Sequence, residues 1–151
     1  MLEVYNLLDK IDFLKEVAIL EYEEWADNKE VDKQERINRK KEKICNMFSD
    51  KYFCKLILVD NNNLIGFISI FPHDCEEEKN LTPWYATMYV KREYRNKGFS
   101  RILDKAIKEE ARKRNIRTLY LKTDLKNYYD KFGATFIKKL QTGESLYKFE
   151  L

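Results

Sequence analysis

Glycine and proline are scarce in this chain, four and two respectively among 151 residues. That scarcity excludes collagen-like repeats and the Gly/Pro-rich composition of disordered segments and linkers. Cysteine is scarce as well: Cys45, Cys54 and Cys75 are odd in number, widely separated and outside any C-x-x-C spacing. Neither a disulfide framework nor a zinc knuckle is therefore expected, no metal site is predicted, and a reducing compartment fits. Long apolar runs are missing. No segment approaches the roughly 20 apolar residues that cross a bilayer, so no membrane partner is expected. The amino terminus, MLEVYNLLDKIDFLKEV, has acidic residues scattered through it and lacks the basic start and apolar middle of a signal peptide. A cytoplasmic protein is the expectation. Charge of one sign is also lacking: Lys and Arg number 29 against 26 for Asp and Glu, a net charge of +3. A balance that small gives no general field for polyanions, and the placement of charge matters more than its sum.

What is present is the profile of one folded domain spanning 1–151, with 44% hydrophobic and 14% aromatic residues. Over residues 10–27, Leu14, Val17, Ala18, Tyr22 and Trp25 recur at steps of three and four, the spacing of one buried helical face. Over 31–49, Ile37, Ile44, Met47 and Phe48 form a second apolar side, and lysines and arginines fill most of the rest. Two β-branched and aromatic runs, 52–60 and 64–71, flank Asn61, Asn62 and Asn63, which tolerate the left-handed angles of a hairpin turn. An acidic loop, 73–82, precedes Pro83 and a strand over 84–90.

From Gly98 the positions Phe99, Ile102, Leu103, Ala106, Ile107 and Ala111 fall on the clearest helical lattice in the chain, with Asn115 as its stop. A strand at 118–123, a short helix over 127–132 ended by Gly133, and a hairpin of 134–140 with 145–151 complete the order. A further strand near Val4–Leu7 is allowed. The expected fold is α/β (α+β): a mixed, mostly antiparallel sheet flanked by helices, with one parallel strand-helix-strand crossover over 84–123.

The segment KREYRNKGFSR, 91–101, lies between a strand and that long helix and holds five cations against one anion. A helix N-terminus presents unpaired N–H groups and the positive end of the dipole, so an anion is bound there by geometry already present. Flanking Arg and Lys add charge-assisted bonds, which makes a diphosphate a natural guest. On spacing alone, a solvated basic loop entering a helix accounts for the segment equally well. It lacks the glycine spacing of a P-loop or a dinucleotide fingerprint.

Arg95-Asn96-Lys97-Gly98-Phe99-Ser100 resembles the Q/R-x-x-G-x-G/A signature of the GNAT acetyltransferases. The stretch from Pro83 through Leu103 is similar to a subgroup whose strand begins with Pro-Trp, and YYDKFG is similar to the family's Y-x-x-x-G element. The likeness covers 83–133. Ser100 departs from the usual Gly or Ala, and Ala134 from a usual aromatic, whose packing role falls to Phe136.

The resemblance implies a GNAT-like fold whose crossover carries the site for acetyl-CoA, the cosubstrate. Met88, Tyr89 and Val90 would offer backbone groups to the pantetheine arm, and Arg95, Asn96, Lys97, Gly98, Phe99 and Ser100 would hold the pyrophosphate. Direct transfer of the acetyl group to a primary amine, with no covalent enzyme intermediate and no metal, is the implied reaction. Tyr129 matches the family's general acid, ahead of its neighbour Tyr128; without the family, both read as packing tyrosines. The base is open among His73, Asp74, Glu76, Glu77, Glu78 and Asp124. Trp84 and Tyr85 are either core residues or part of the acceptor pocket.

The acceptor is expected to be a small molecule, with a protein amine or a non-catalytic acyl-CoA-binding module as the alternatives. The oligomeric state is open, a homodimer included. Nucleic acid is not an expected partner, because Glu35 and Glu42 interrupt the basic helix and Glu35 with Arg39 forms an i, i+4 pair of a solvated face.

Overall fold

The computed structural model describes residues 1–26 and 32–151. Seven strands form one sheet in the order β1-β2-β3-β4-β5-β7-β6: β1 Leu2–Asn6, β2 Cys54–Asp60, β3 Asn63–Phe71, β4 Trp84–Val90, β5 Thr118–Thr123, β6 Thr135–Lys139 and β7 Ser145–Glu150. Every neighbouring pair is antiparallel except β4 and β5. Three helices accompany the sheet: α1 Leu14–Trp25, α2 Lys33–Met47 and α3 Phe99–Lys113. The mixed, mostly antiparallel sheet with one parallel crossover is the architecture expected.

Strand β2 shows how the layers are set. Cys54, Leu56 and Leu58 join the core beneath α3, while Ile57 and Val59, with Phe53 just ahead of the strand, join the core beneath α1 and α2. Both faces of the strand are covered, so its residues read as a continuous apolar run rather than an alternating one. One break in that run is Lys55, fully buried, discussed below.

Several local expectations are met by identifiable chemistry. Asn61 and Asn62 have φ of 48° and 69°, and Asp60 pairs with Asn63, so the β2–β3 hairpin closes through a two-residue turn. Asn63 itself belongs to β3. Asn115, at φ 63°, ends α3 in the left-handed conformation, and the Ile116 amide returns to the Ala111 carbonyl at 2.9 Å. The segment ahead of Gly133 is a single 3-10 turn, Tyr129–Phe132.

Other expectations need correction. The helix predicted from residue 10 begins at Leu14; 7–9 and 11–13 are short 3-10 turns, the first capped by the Asn6 side chain, which accepts from the Leu8 amide. The predicted ends at 27 and 31 lie outside the described residues. Trp25 is not a core residue: it is 46% exposed, with its ring edge-on to Phe67 and Tyr89. Phe136 does not fill the place expected of it, since it is half-exposed against Tyr147, and Ala134 packs on the core instead.

Candidate active site

Two irregularities in β4 create the site. Opposite Ile68, the pairing steps from Phe67↔Tyr89 to Ser69↔Ala86, so Thr87 and Met88 bulge out of the ladder, and Thr87 takes φ +50°. A β-branched residue there is strained, and such strain persists only where the surroundings impose it. Here they are visible. The Thr87 hydroxyl lies 2.6 Å from Ser69 Oγ, and the buried Lys55 ammonium donates to Ser69 Oγ at 2.5 Å and to Glu21 Oε1 at 2.5 Å. Glu21, from α1, is itself buried, and Lys40 of α2 approaches its second oxygen at 3.9 Å. A buried charge is tolerable only when paired and hydrogen-bonded, a condition this network meets. It ties both helices to the bulge. The network is not legible in the sequence, because a lysine inside an apolar strand run carries no local sign of its partner 34 residues away.

The second irregularity is the parallel pair. Ladder pairing of β4 with β5 is confined to Trp84↔Tyr120 at the start of β4. Beyond it the facing edges of the two strands have no ladder partner among the described residues, and two cavities open there.

The first cavity, about 560 Å³, is walled by α1, α2, the bulge and the end of β5, and includes Glu21, Trp25, Lys55, Asp74, Tyr85 and Thr87. The second, about 500 Å³, is walled by Met88, Tyr89 and Val90 and by Arg95, Asn96, Gly98, Phe99 and Ser100. Lys97 lies off that wall, while Arg101, Tyr94, Tyr128 and Lys131 are on it. Glu24, Met88, Leu125 and Tyr129 line both cavities and so form the neck between them.

At the far end of the second cavity the turn into α3 is left-handed at Asn96 (φ 63°) and Gly98 (φ 83°). Among the described residues, the amides of Asn96, Lys97, Gly98, Phe99 and Ser100 donate to no protein acceptor; the first paired one is Arg101, to the Gly98 carbonyl at 3.2 Å. A Cβ on Gly98 would meet nothing within 4 Å, so glycine is there for its φ. Arg95 folds back, its Nε donating to the Val90 carbonyl at 2.8 Å and its guanidinium lying 5.5 Å from the Tyr89 ring centre. Five consecutive free amides beside Arg95, Arg101 and Lys131 suit a phosphorylated ligand.

Tyr129 is buried with its ring held edge-on by Tyr85 and Tyr128 and against Phe132. Its hydroxyl makes no hydrogen bond among the described residues, and burial raises its pKa, so the phenol stays protonated. Tyr85 lines the first cavity, yet its hydroxyl is engaged with Asp104 at 2.9 Å, and Lys108 bridges Asp104 to the Phe132 carbonyl at 3.0 and 2.6 Å. Trp84 is core, its indole N–H donating to the Leu81 carbonyl.

The candidate bases separate. His73 is exposed and lines neither cavity, Glu77 accepts from the Gln141 amide, Glu78 pairs with Lys138 and Glu76 lies near Lys79. Asp74 and Asp124 line the first cavity. Burial pushes Asp74 up to about 6, with Glu144 adding to the rise and Lys122 and Lys43 opposing it. The cysteines are bystanders: all three are free, and burial pushes the Cys54 thiol up to about 12. Among the described residues no group of three His, Cys, Asp or Glu could hold a metal ion.

Comparison with known proteins bears on the fold and the family. No curated protein matches the sequence. Solved structures do match: a ribosomal-protein-alanine N-acetyltransferase from Brucella melitensis (TM-score 0.74, 18% identity, 100% of this chain and 99% of that one). A PaiA N-acetyltransferase from Thermoplasma acidophilum in complex with coenzyme A matches at TM-score 0.70 and 20% identity, over 100% and 99% of the chains. An aminoglycoside 6'-acetyltransferase type Ii follows at 0.68 and 18%, over 99% and 96%. The family model for the acetyltransferase (GNAT) family matches residues 12–134, which include the bulge, the splayed strands, the amide turn and Tyr129. This chain is a member of the GNAT acetyltransferase family.

Proposed function

We propose that this GNAT acetyltransferase moves the acetyl group of acetyl-CoA directly to a primary amine of a small molecule, as a single domain working in the cytoplasm. The observation that carries the reading is the run of free amides at the start of α3, opening onto a cavity that meets a second one at Tyr129. In this assignment residues 95–100 and Arg101 hold the pyrophosphate, the free edge of Met88–Val90 aligns the pantetheine arm, and the first cavity receives the amine. A walled cavity of about 560 Å³ is the size of a small-molecule pocket, which favours a small acceptor over a protein surface. Three free thiols suit a reducing compartment, and among the described residues no helix is long and apolar enough to cross a membrane.

A thermal-shift series with CoA, acetyl-CoA and ATP, followed by a thiol-release screen over primary amines, tests the reading. Selective stabilisation by the CoA pair and release with at least one amine are expected. Stabilisation by ATP alone, or none at all, overturns it.

Two side-chain predictions follow from the cavity walls. Replacing Arg101 and Lys131 together by Ala is expected to weaken CoA about tenfold and to flatten the salt dependence of binding, measured by calorimetry at two ionic strengths. Asp74→Asn is expected to act in opposite directions on stability and on acceptor binding. The Asp74 carboxyl is raised to about 6, so the folded state carries its ionisation penalty above that pH and escapes it below the unfolded value near 3.8. The variant should therefore be more stable than the parent at neutral pH, by up to about 3 kcal/mol, with the difference vanishing below the unfolded value near 3.8. Its KM for a cationic amine should rise, as the parent's should when pH falls through 6.

A further inference from the structure

We infer that Glu24 is the group that takes the proton from the amine substrate, facing Tyr129 across the neck between the two cavities. The assignment rests on the acyl-transfer reading above. Of the four residues lining both cavities, Met88 and Leu125 are apolar, so Glu24 and Tyr129 are the two ionisable groups where coenzyme and acceptor meet. One is a carboxylate and the other a protonated phenol, which is the pairing an acyl transfer between a thioester and an ammonium needs.

The other carboxylates of the acceptor side are excluded by position or by partner. Glu21, one turn earlier on the same face of α1, has both oxygens engaged by Lys55 and Lys40. Asp74, Asp124 and Glu144 line the acceptor cavity but not the neck. Glu24 has no hydrogen bond or ion pair among the described residues, so its oxygens are available to a substrate. Glu24 is not legible as a base in the sequence, because a glutamate on the last turn of an amphipathic helix looks like any solvated acid.

The substrate ammonium gives one proton to the Glu24 carboxylate, which passes it to water. The freed nitrogen lone pair attacks the thioester carbonyl carbon. As the tetrahedral adduct collapses, the C–S bond breaks, its electron pair leaves on sulfur, and sulfur takes the Tyr129 hydroxyl proton. The remaining surplus proton on nitrogen restores the phenol. In sum, an ammonium and an acetyl thioester become an amide, a free thiol and one proton in solvent.

The test compares two acceptors on Glu24→Gln. The first is the best primary alkylamine from the thiol-release screen; the second is its β,β-difluorinated analogue, assayed at mildly alkaline pH, where its nitrogen is already the free base and has no ammonium proton to surrender before attack. The variant is expected to lose about 10²-fold in kcat/KM with the alkylamine and to stay within about threefold of the parent with the fluorinated amine. Its stabilisation by CoA should match the parent's, which shows the fold and the coenzyme site intact. No loss with the alkylamine, or an equal loss with both amines, overturns the assignment. A parent enzyme that is stabilised by CoA yet acetylates no amine overturns the acyl-transfer reading itself, and Glu24's role falls with it.

Discussion

Tyr129→Phe is expected to lower kcat by about 10²- to 10³-fold, the range typical of a lost general acid, while the CoA dissociation constant stays within about twofold of the parent. The asymmetry follows from how the residue is held. Its ring is buried among Tyr85, Tyr128 and Phe132, contacts that Phe keeps in full. Only the hydroxyl is removed, and among the described residues it has no protein partner to leave stranded. The variant should therefore unfold within about 0.5 kcal/mol of the parent, in the manner of a substitution that opens no cavity and orphans no group. Tyr128 supplies the control: it lines the second cavity but not the neck, so Tyr128→Phe should change kcat by less than about threefold. Steady-state rates with CoA binding by calorimetry separate the outcomes. Unchanged turnover in Tyr129→Phe would remove the phenol from the chemistry.

The contrast between the two tyrosines marks the boundary of what the sequence discloses. Spacing from Gly133 singles out Tyr129 through family resemblance, yet periodicity cannot tell which of two adjacent phenols reaches a neck whose walls come from α1, β4 and the segment after β5. Elements defined by their own residues are legible: the Asn61–Asn62 turn, the apolar lattice of α3 and the glycine at its start each depend on neighbours within one turn. The bulge at Thr87 is not, because TMYV reads as ordinary strand and its distortion is imposed by Ser69, Lys55 and Glu21, distant in sequence. Trp25 fails for a related reason. Its spacing matches the buried face of α1, but at the helix's end that face runs out over the cavity mouth, where Phe67 and Tyr89 meet the indole edge-on and leave it 46% exposed. The excess of cations over 91–101 is legible in the sequence, whereas which of them reach the cavity wall depends on the turn: Arg101 does and Lys97 does not.

Gly66→Ala is expected to destabilise the protein by about 2–4 kcal/mol, the cost of forcing an extra methyl into a filled space. The reason is contact and not backbone angle. A Cβ built on Gly66 would lie 2.3 Å from the Tyr89 carbonyl oxygen and 3.1 Å from Val90 Cα, both main-chain atoms of β4 that cannot rotate aside as a side-chain tip would. Relief requires β3 and β4 to move apart, although the Lys91 amide, donating to the Ile65 carbonyl of β3 at 2.9 Å, holds the two strands together there, and β4 at that level is the Met88–Val90 wall of the second cavity. Stability and CoA affinity should therefore fall together, read by urea unfolding and calorimetry on the same sample. Gly98→Ala separates this from a generic glycine effect: it has empty space for the methyl but a φ of +83°, so only backbone strain of about 1 kcal/mol is expected. If Gly66→Ala unfolds within about 0.5 kcal/mol of the parent, β4 is free to shift at the bulge, and the rigid alignment of Met88–Val90 on which the coenzyme assignment depends is lost.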